Sequence, residues 1–137
     1  MTTTAPSLPA VGEERTLVVV DDLTRTRLVQ YAGVSGDYNP LHTDEIFARD
    51  VAGYPGVFAH GMLTMGLTSR VVTEWVGEER LTEFGVRFAA QVWPGDTLTA
   101  TATVESVEAG VARFGITTVN QKGEAVIKGW ATARLAD

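Results

Sequence analysis

The segment Tyr31-Ala32-Gly33-Val34-Ser35-Gly36-Asp37-Tyr38-Asn39-Pro40-Leu41-His42 brings a carboxylate, an amide and an imidazole close together in the chain. A carboxylate beside an imidazole sets its tautomer and basicity, so Asp37 and His42 can together hold a water and move a proton. A second polar pair, His60-Gly61, stands just before an apolar run from Met62 to Val76. If that run is a helix, its start presents backbone N–H groups suited to developing negative charge.

Each of these residues also has a reading without chemistry. Asp37 and Asn39 suit Asx-turns ahead of Pro40, and a lone His42 suits a structural hydrogen bond. Gly61 suits close packing at a helix start. His60 either shapes the loop before the helix or is a buried residue bonded to backbone. The joint occurrence of Asp37, Asn39 and His42 with a later His-Gly favours the catalytic reading of the set.

The elements that must position this set read as follows. Residues 16–20 form a β-branched strand. Thr24 caps a helix over 25–32, with Leu28, Val29 and Ala32 on its apolar face and Gly33 as its stop. Residues 33–55 are rich in Gly, Asp, Asn and Pro, with a short helix around 44–50, and long irregular segments in compact domains are usually functional. The longest helix covers 59–76, is apolar over more than one face and ends at Gly77. Strands over 84–92, 97–107, 111–120 and 125–135 follow, separated by turn chemistry at Trp93-Pro94-Gly95-Asp96, Glu108-Ala109-Gly110 and Gln121-Lys122-Gly123-Glu124. The expected class is α+β, an antiparallel sheet wrapped around one long helix.

At 137 residues with 45% hydrophobic and 20% charged residues, the chain has room for one packed core and none for a second. Residues 1–10, small and Thr/Ala/Pro-rich, read as a flexible lead, and 11–137 as a single domain. A net charge of −6 without a Lys/Arg cluster disfavours nucleic acid. The absence of cysteine excludes disulfides, thiolate metal sites and a Cys nucleophile, and two histidines leave little for a metal. The lead lacks a signal-peptide pattern, and polar residues interrupt 62–76 too often for a membrane span, so the expectation is a cytoplasmic protein with no membrane partner.

The Gly-Asp-x-Asn-Pro-x-His segment, together with Ala59-His60-Gly61-Met62-Leu63-Thr64-Met65-Gly66, resembles the (R)-specific enoyl-thioester hydratases, also called hydratase 2 or MaoC-like dehydratases, which have the hotdog fold. Nearly the whole chain fits, including Phe88 and the stretch Trp93-Pro94-Gly95-Asp96-Thr97-Leu98. With Trp75-Val76-Gly77, the strongest likeness is to the catalytic B-type subunits of actinobacterial 3-hydroxyacyl-carrier-protein dehydratases. Those subunits often carry a longer insert near 93–97 that this chain lacks.

The resemblance implies that Asp37 and His42 grip one water and act as acid and base for its syn addition to, or elimination from, an acyl thioester at C2–C3. It implies that Asn39 orients the site and that the Gly61 N–H, with His60 shaping the loop, binds the thioester oxygen. It also implies no cofactor, a CoA or acyl-carrier-protein thioester as substrate, and a dimer with itself or with a homologous hotdog subunit. Arg87, Lys122 and Lys128 are candidates for the carrier's phosphates, against the plainer reading of solvated charges. Met62, Leu63 and Met65 line an acyl tunnel or, more commonly for such spacing, belong to the core. Trp93 and Trp130 cover the sheet or an interface. The alternatives are a hotdog thioesterase, against which the Asp37–Asn39–His42 cluster argues, and a subunit that is inactive without its partner.

Overall fold

A computed structural model describes residues 8–135. Of the lead expected over 1–10, residues 1–7 lie outside the described residues; Pro9 is already buried and the Ala10 N–H donates to Glu13 Oε2 at 3.2 Å.

The chain runs β1 (Glu14–Val20), α1 (Arg25–Ser35), α2 (Gly61–Val76), β2 (Leu81–Phe88), β3 (Leu98–Glu108), β4 (Val111–Val119) and β5 (Ala125–Arg134). Short 3-10 turns at Pro40–His42 and Glu78–Arg80 and a π-turn at Phe47–Val51 fill the connections. The five strands form one sheet in the order β1-β3-β4-β5-β2, each pair antiparallel. Consecutive β3, β4 and β5 are joined by tight turns; Ala109 and Gly110 both take positive φ, 51° and 76°, as a two-residue hairpin requires. β2 instead reaches the far edge beside β5 after the chain has passed through α2.

Helix α2 lies on one face of this sheet, the hotdog arrangement. Its buried stripe is Thr64, Thr68, Val71, Val72, Trp75 and Val76. The sheet answers with alternating small residues, Ala100 and Ala102 on β3, Ala112 on β4, and Ala131 and Ala133 on β5, all fully buried. Their short side chains let the helix approach closely, and Trp75 fills the space, meeting Phe114 edge-on at 5.3 Å. Burying such a side chain contributes about 1.5–3 kcal/mol. The two threonines in the stripe stay satisfied: Thr64 Oγ1 donates to the Gly61 carbonyl at 2.8 Å, and Thr68 Oγ1 pairs with Thr118 Oγ1 of β4 at 2.8 Å.

Several boundaries differ from those expected. Thr24 caps α1, accepting the Arg27 N–H at 3.1 Å, but the helix passes through Gly33 and stops at Gly36. An interior glycine costs a helix only about 1 kcal/mol, whereas the left-handed turn at φ 77° demands one at Gly36. Val29 is exposed, so the buried side of α1 is Leu28 and Ala32. Helix α2 begins at Gly61 rather than residue 59 and is not buried all round: the sheet covers one side, and Met62 on the other is 59% exposed. Strand β2 ends at Phe88, although the apolar pattern continues to Val92. After the Ala89 N–H bonds to Val126 O, the chain leaves the sheet, and Val92 O accepts the Ala59 N–H at 2.8 Å. Residues 89–92 thus form an arch beside the start of α2. No helix among the described residues is long and apolar enough to cross a membrane.

Candidate active site

The polar segment leaves α1 through a series of local bonds. Ser35 Oγ donates to Tyr31 O at 2.7 Å and accepts the Asp37 N–H at 3.1 Å. Asp37 Oδ1 accepts the Asn39 N–H at 3.3 Å, and Asn39 Oδ1 accepts the Leu41 N–H at 3.0 Å, with Pro40 starting the 3-10 turn. The Asx-turn alternative is therefore real at both residues. It occupies one carboxylate oxygen of Asp37 and leaves Oδ2, which faces His42.

His42 is oriented by main chain. Its Nδ1 lies 2.6 Å from the Phe58 carbonyl oxygen. A carbonyl only accepts, so Nδ1 carries the proton and the neutral ring presents a lone pair at Nε2. Nε2 stands 4.0 Å from Asp37 Oδ2, too far for a direct hydrogen bond and a suitable span for a shared water. A water oxygen at ordinary distance, about 2.8 Å, from both atoms subtends an angle of about 90°. The His42 side chain is 10% exposed, whereas the Asp37 side chain is 52% exposed, so the pair joins a fixed base to a solvent-facing acid.

His60 lies behind this pair. Its ring stacks on that of His42, centroids 3.8 Å apart, and meets the Tyr31 edge at 4.8 Å. Its Nε2 donates to the Asp37 carbonyl at 3.1 Å. Burial pushes the His60 pKa below its ordinary value, with the Asp37 carbonyl opposing the shift. A neutral His60 puts no charge beside His42 and fixes the Asp37 main chain while leaving its carboxylate to other partners. His60 Nδ1 is buried with no hydrogen-bond partner among the described residues. One ligand atom each from Asp37, His42 and His60 lie within 4.8 Å of one another. Each ring uses one nitrogen on a carbonyl, and a tetrahedral ion draws its ligands to about 3.3 Å spacing, tighter than the 4.0 Å from His42 Nε2 to Asp37 Oδ2.

Gly61 opens α2, so its N–H has no acceptor within the helix. It lines a cavity of about 350 Å³ with Phe58, Ala59, Thr64, Phe88 and the arch 89–92. The packing alternative for Gly61 also holds: a Cβ there would stand 3.1 Å from the Phe88 ring. One glycine thus leaves a donor open at the cavity and makes room for an aromatic wall.

Of the residues the sequence reading placed in one site, the structure brings Asp37, His42 and His60 together, with Gly61 following His60 in the chain. Asn39 bonds within the turn, and the lining of the cavity beside Gly61 includes none of Asp37, Asn39, His42 or His60. It missed Phe58, whose contribution is a main-chain oxygen that no side-chain type signals, and Tyr31, read only as part of a motif. It also missed Phe88, whose signal was a glycine needing a flat neighbour. Met62, Leu63 and Met65 do not line the cavity; Leu63 packs on the core and Met62 is exposed. Trp93 meets Phe58 edge-on at 5.7 Å, so it covers the site loop. Trp130 lies on the outer sheet face under the Arg113 guanidinium, 4.7 Å from its centroid. Arg87 and Lys128 face each other across β2 and β5, and Lys122 is exposed in the β4–β5 turn.

Known proteins share this fold and stretches of this sequence. The (R)-hydratase from A. caviae involved in PHA biosynthesis superposes with a TM-score of 0.82 at 26% identity, covering 93% of this chain and 97% of that one. The 3-hydroxyacyl-thioester dehydratase Y of Mycobacterium tuberculosis is 33% identical over 96 residues, 68% of this chain and 33% of that protein. Enoyl-CoA hydratase 2, peroxisomal, of Arabidopsis thaliana is 29% identical over 127 residues, 90% of this chain and 40% of that protein. The chain therefore spans well under half the length of these two relatives. The MaoC like domain family matches residues 7–125. With that match over most of its length, a hotdog sheet around α2 and the Asp37–His42 pair at the helix start, the chain belongs to the MaoC-like domain family.

Proposed function

We propose that the chain is a hydro-lyase that interconverts trans-2-enoyl and (R)-3-hydroxyacyl thioesters carried on CoA or an acyl carrier protein, in fatty-acid or polyketide-type metabolism. The observation that carries this reading is the His42 ring, whose Nδ1–H is committed to Phe58 O while Nε2 faces the Asp37 carboxylate across 4.0 Å. In hydration, His42 Nε2 takes a proton from the water held between the two groups as its oxygen attacks C3. Negative charge moves to the thioester oxygen, which the Gly61 N–H binds; donors of this type contribute about 3–4 kcal/mol in other enzymes. Protonation at C2 on the same face, from the pair that held the water, completes a syn addition. Dehydration runs the same steps backward. Asn39 keeps its place by holding the 3-10 turn that carries His42, and His60 by backing the ring. The names of the relatives and of the superposed (R)-hydratase support the same reaction class.

The reading includes a second hotdog subunit, another copy or a homologue, because β1 and β2 are sheet edges and α2 is covered on one side only. It also includes a cytoplasmic setting. The experiment is hydration of crotonyl-CoA and longer enoyl-CoAs by the purified chain, followed by loss of enone absorbance and chiral analysis, with light scattering for mass. Mainly (R)-3-hydroxyacyl-CoA from a dimer is expected. Mainly (S) product would overturn the assignment, and release of free thiol would favour the thioesterase.

A further inference from the structure

We propose that Glu45 is a positioning residue for His42, acting through the Val57–Phe58 main chain; this rests on the reading of His42 as the base. Glu45 lies just ahead of the π-turn, and its carboxylate gathers three separate parts of the chain. Oε1 accepts Arg25 Nε of α1 at 2.5 Å, Oε2 accepts the Val57 N–H at 3.2 Å, and Arg49 Nη2 lies 3.7 Å from Oε2. Gly56 is shaped to admit it: a Cβ there would lie 2.9 Å from Glu45 Oε2. Arg49 adds a second hold, donating from Nε to Pro55 O at 3.0 Å.

The held segment ends at the oxygen that sets the base. Val57 is buried, and the next residue, Phe58, donates its N–H to Leu41 O at 3.2 Å and accepts His42 Nδ1–H at 2.6 Å. As an ion pair alone, Arg25–Glu45 would contribute little, since the arginine side chain is 62% exposed. The bond that matters is the one to Val57 N–H, which fixes the Gly56–Val57 peptide on the approach to Phe58, while the Ala59 N–H bond to Val92 O holds the far side of the Phe58 carbonyl. The Arg25 hydrogen bond also holds the Glu45 carboxyl below its ordinary pKa, against the opposing effect of burial, so the acceptor stays ionised at neutral pH.

The test reads the His42 tautomer directly, by two-bond proton–nitrogen correlation spectra of the imidazole in wild type, Glu45→Ala, Glu45→Asp and Glu45→Gln. Wild type is expected to show a single Nδ1–H tautomer. Glu45→Ala, and Glu45→Asp whose shorter carboxylate cannot span Arg25 and Val57, are expected to admit the Nε2–H form. Glu45→Gln keeps an oxygen for Val57 N–H and is expected to restore the wild-type spectrum. In turnover, Glu45→Ala should lower kcat about ten-fold or more with KM little changed, because small misplacements of a reacting group cost rate. A pure Nδ1–H tautomer in folded Glu45→Ala would overturn the proposal; should that variant not fold, the same result in Glu45→Asp would do so. Because the spectra are taken on resting protein, a chain that hydrated no enoyl thioester would sink the functional reading and leave this result standing.

Discussion

Replacing Gly61 by alanine separates the two demands on that position. The new Cβ would sit 3.1 Å from two atoms of the Phe88 ring and 3.3 Å from a third. Ordinary contact distances of about 3.7 Å require the ring to retreat by about 0.6 Å. Overpacking of this kind costs about 1–3 kcal/mol, and Phe88, 50% exposed, can move outward, which places the cost near 1. Against it stands the intrinsic gain of alanine over glycine in a helix, at most about 1 kcal/mol and smaller at a first position. The single variant should therefore be near neutral to about 1 kcal/mol destabilised, and the informative number is its coupling to Phe88. In a Phe88→Ala background the clash is gone and only the propensity gain remains, so Gly61→Ala should turn stabilising, with a coupling energy of about 1 kcal/mol. Urea melts of the four proteins measure this. The N–H is retained throughout, so Gly61→Ala should leave kcat unchanged when added to Phe88→Ala. A cost that persists in the Phe88→Ala background would refute the assignment of the clash to this ring. A large kcat loss on adding Gly61→Ala to Phe88→Ala would show that the backbone donor had moved.

Asp37→Asn and His42→Ala are each expected to lower hydration about a hundred- to ten-thousand-fold while circular dichroism stays native; near-wild-type turnover in either would remove that residue from the mechanism. The His60 pKa is lowered on folding, so the unfolded chain binds its proton more readily. The stability tied to this group is fully present above its unfolded value of about 6.5 and declines as pH falls through that value toward the folded one. His60→Gln should flatten the melting-temperature profile over that window, and an unchanged profile would count against a neutral buried His60. Thr68→Val should cost about 1–3 kcal/mol by orphaning the Thr118 hydroxyl, whereas Thr68→Val with Thr118→Val should recover most of it; equal melts for single and double variants would show that the pair is not coupled.

Much of this molecule was legible in the chain because its turns carry their own chemistry. Glu108-Ala109-Gly110 and Gln121-Lys122-Gly123-Glu124 mark the β3–β4 and β4–β5 connections, and Thr24 marks the start of α1. The errors arose where hydrogen bonding and pattern diverge. The apolar pattern through Val92 reads as strand, but those backbone groups bond to Ala59 and Val126. Gly33 reads as a stop, but only Gly36 has the dihedral that needs one. In the site, polar side chains announced themselves. The groups that orient them did not: the Phe58 and Asp37 carbonyls belong to the backbone, which is chemically the same at every residue.

Because the atom that sets the proton on His42 is the main-chain oxygen of Phe58, no exchange of one side chain for another can delete it. Beyond the loss of a contact that holds it, such as that of Glu45, what can displace it is a change in chain length between the two residues, sixteen positions apart. An added or missing residue there would shift the oxygen out of register while leaving every recognisable motif letter in place. The proton on this base is thus guarded by spacing as well as by side chains, and a gap in an aligned relative between positions 42 and 58 would be a sign of a displaced oxygen even where Asp37, Asn39 and His42 are all retained.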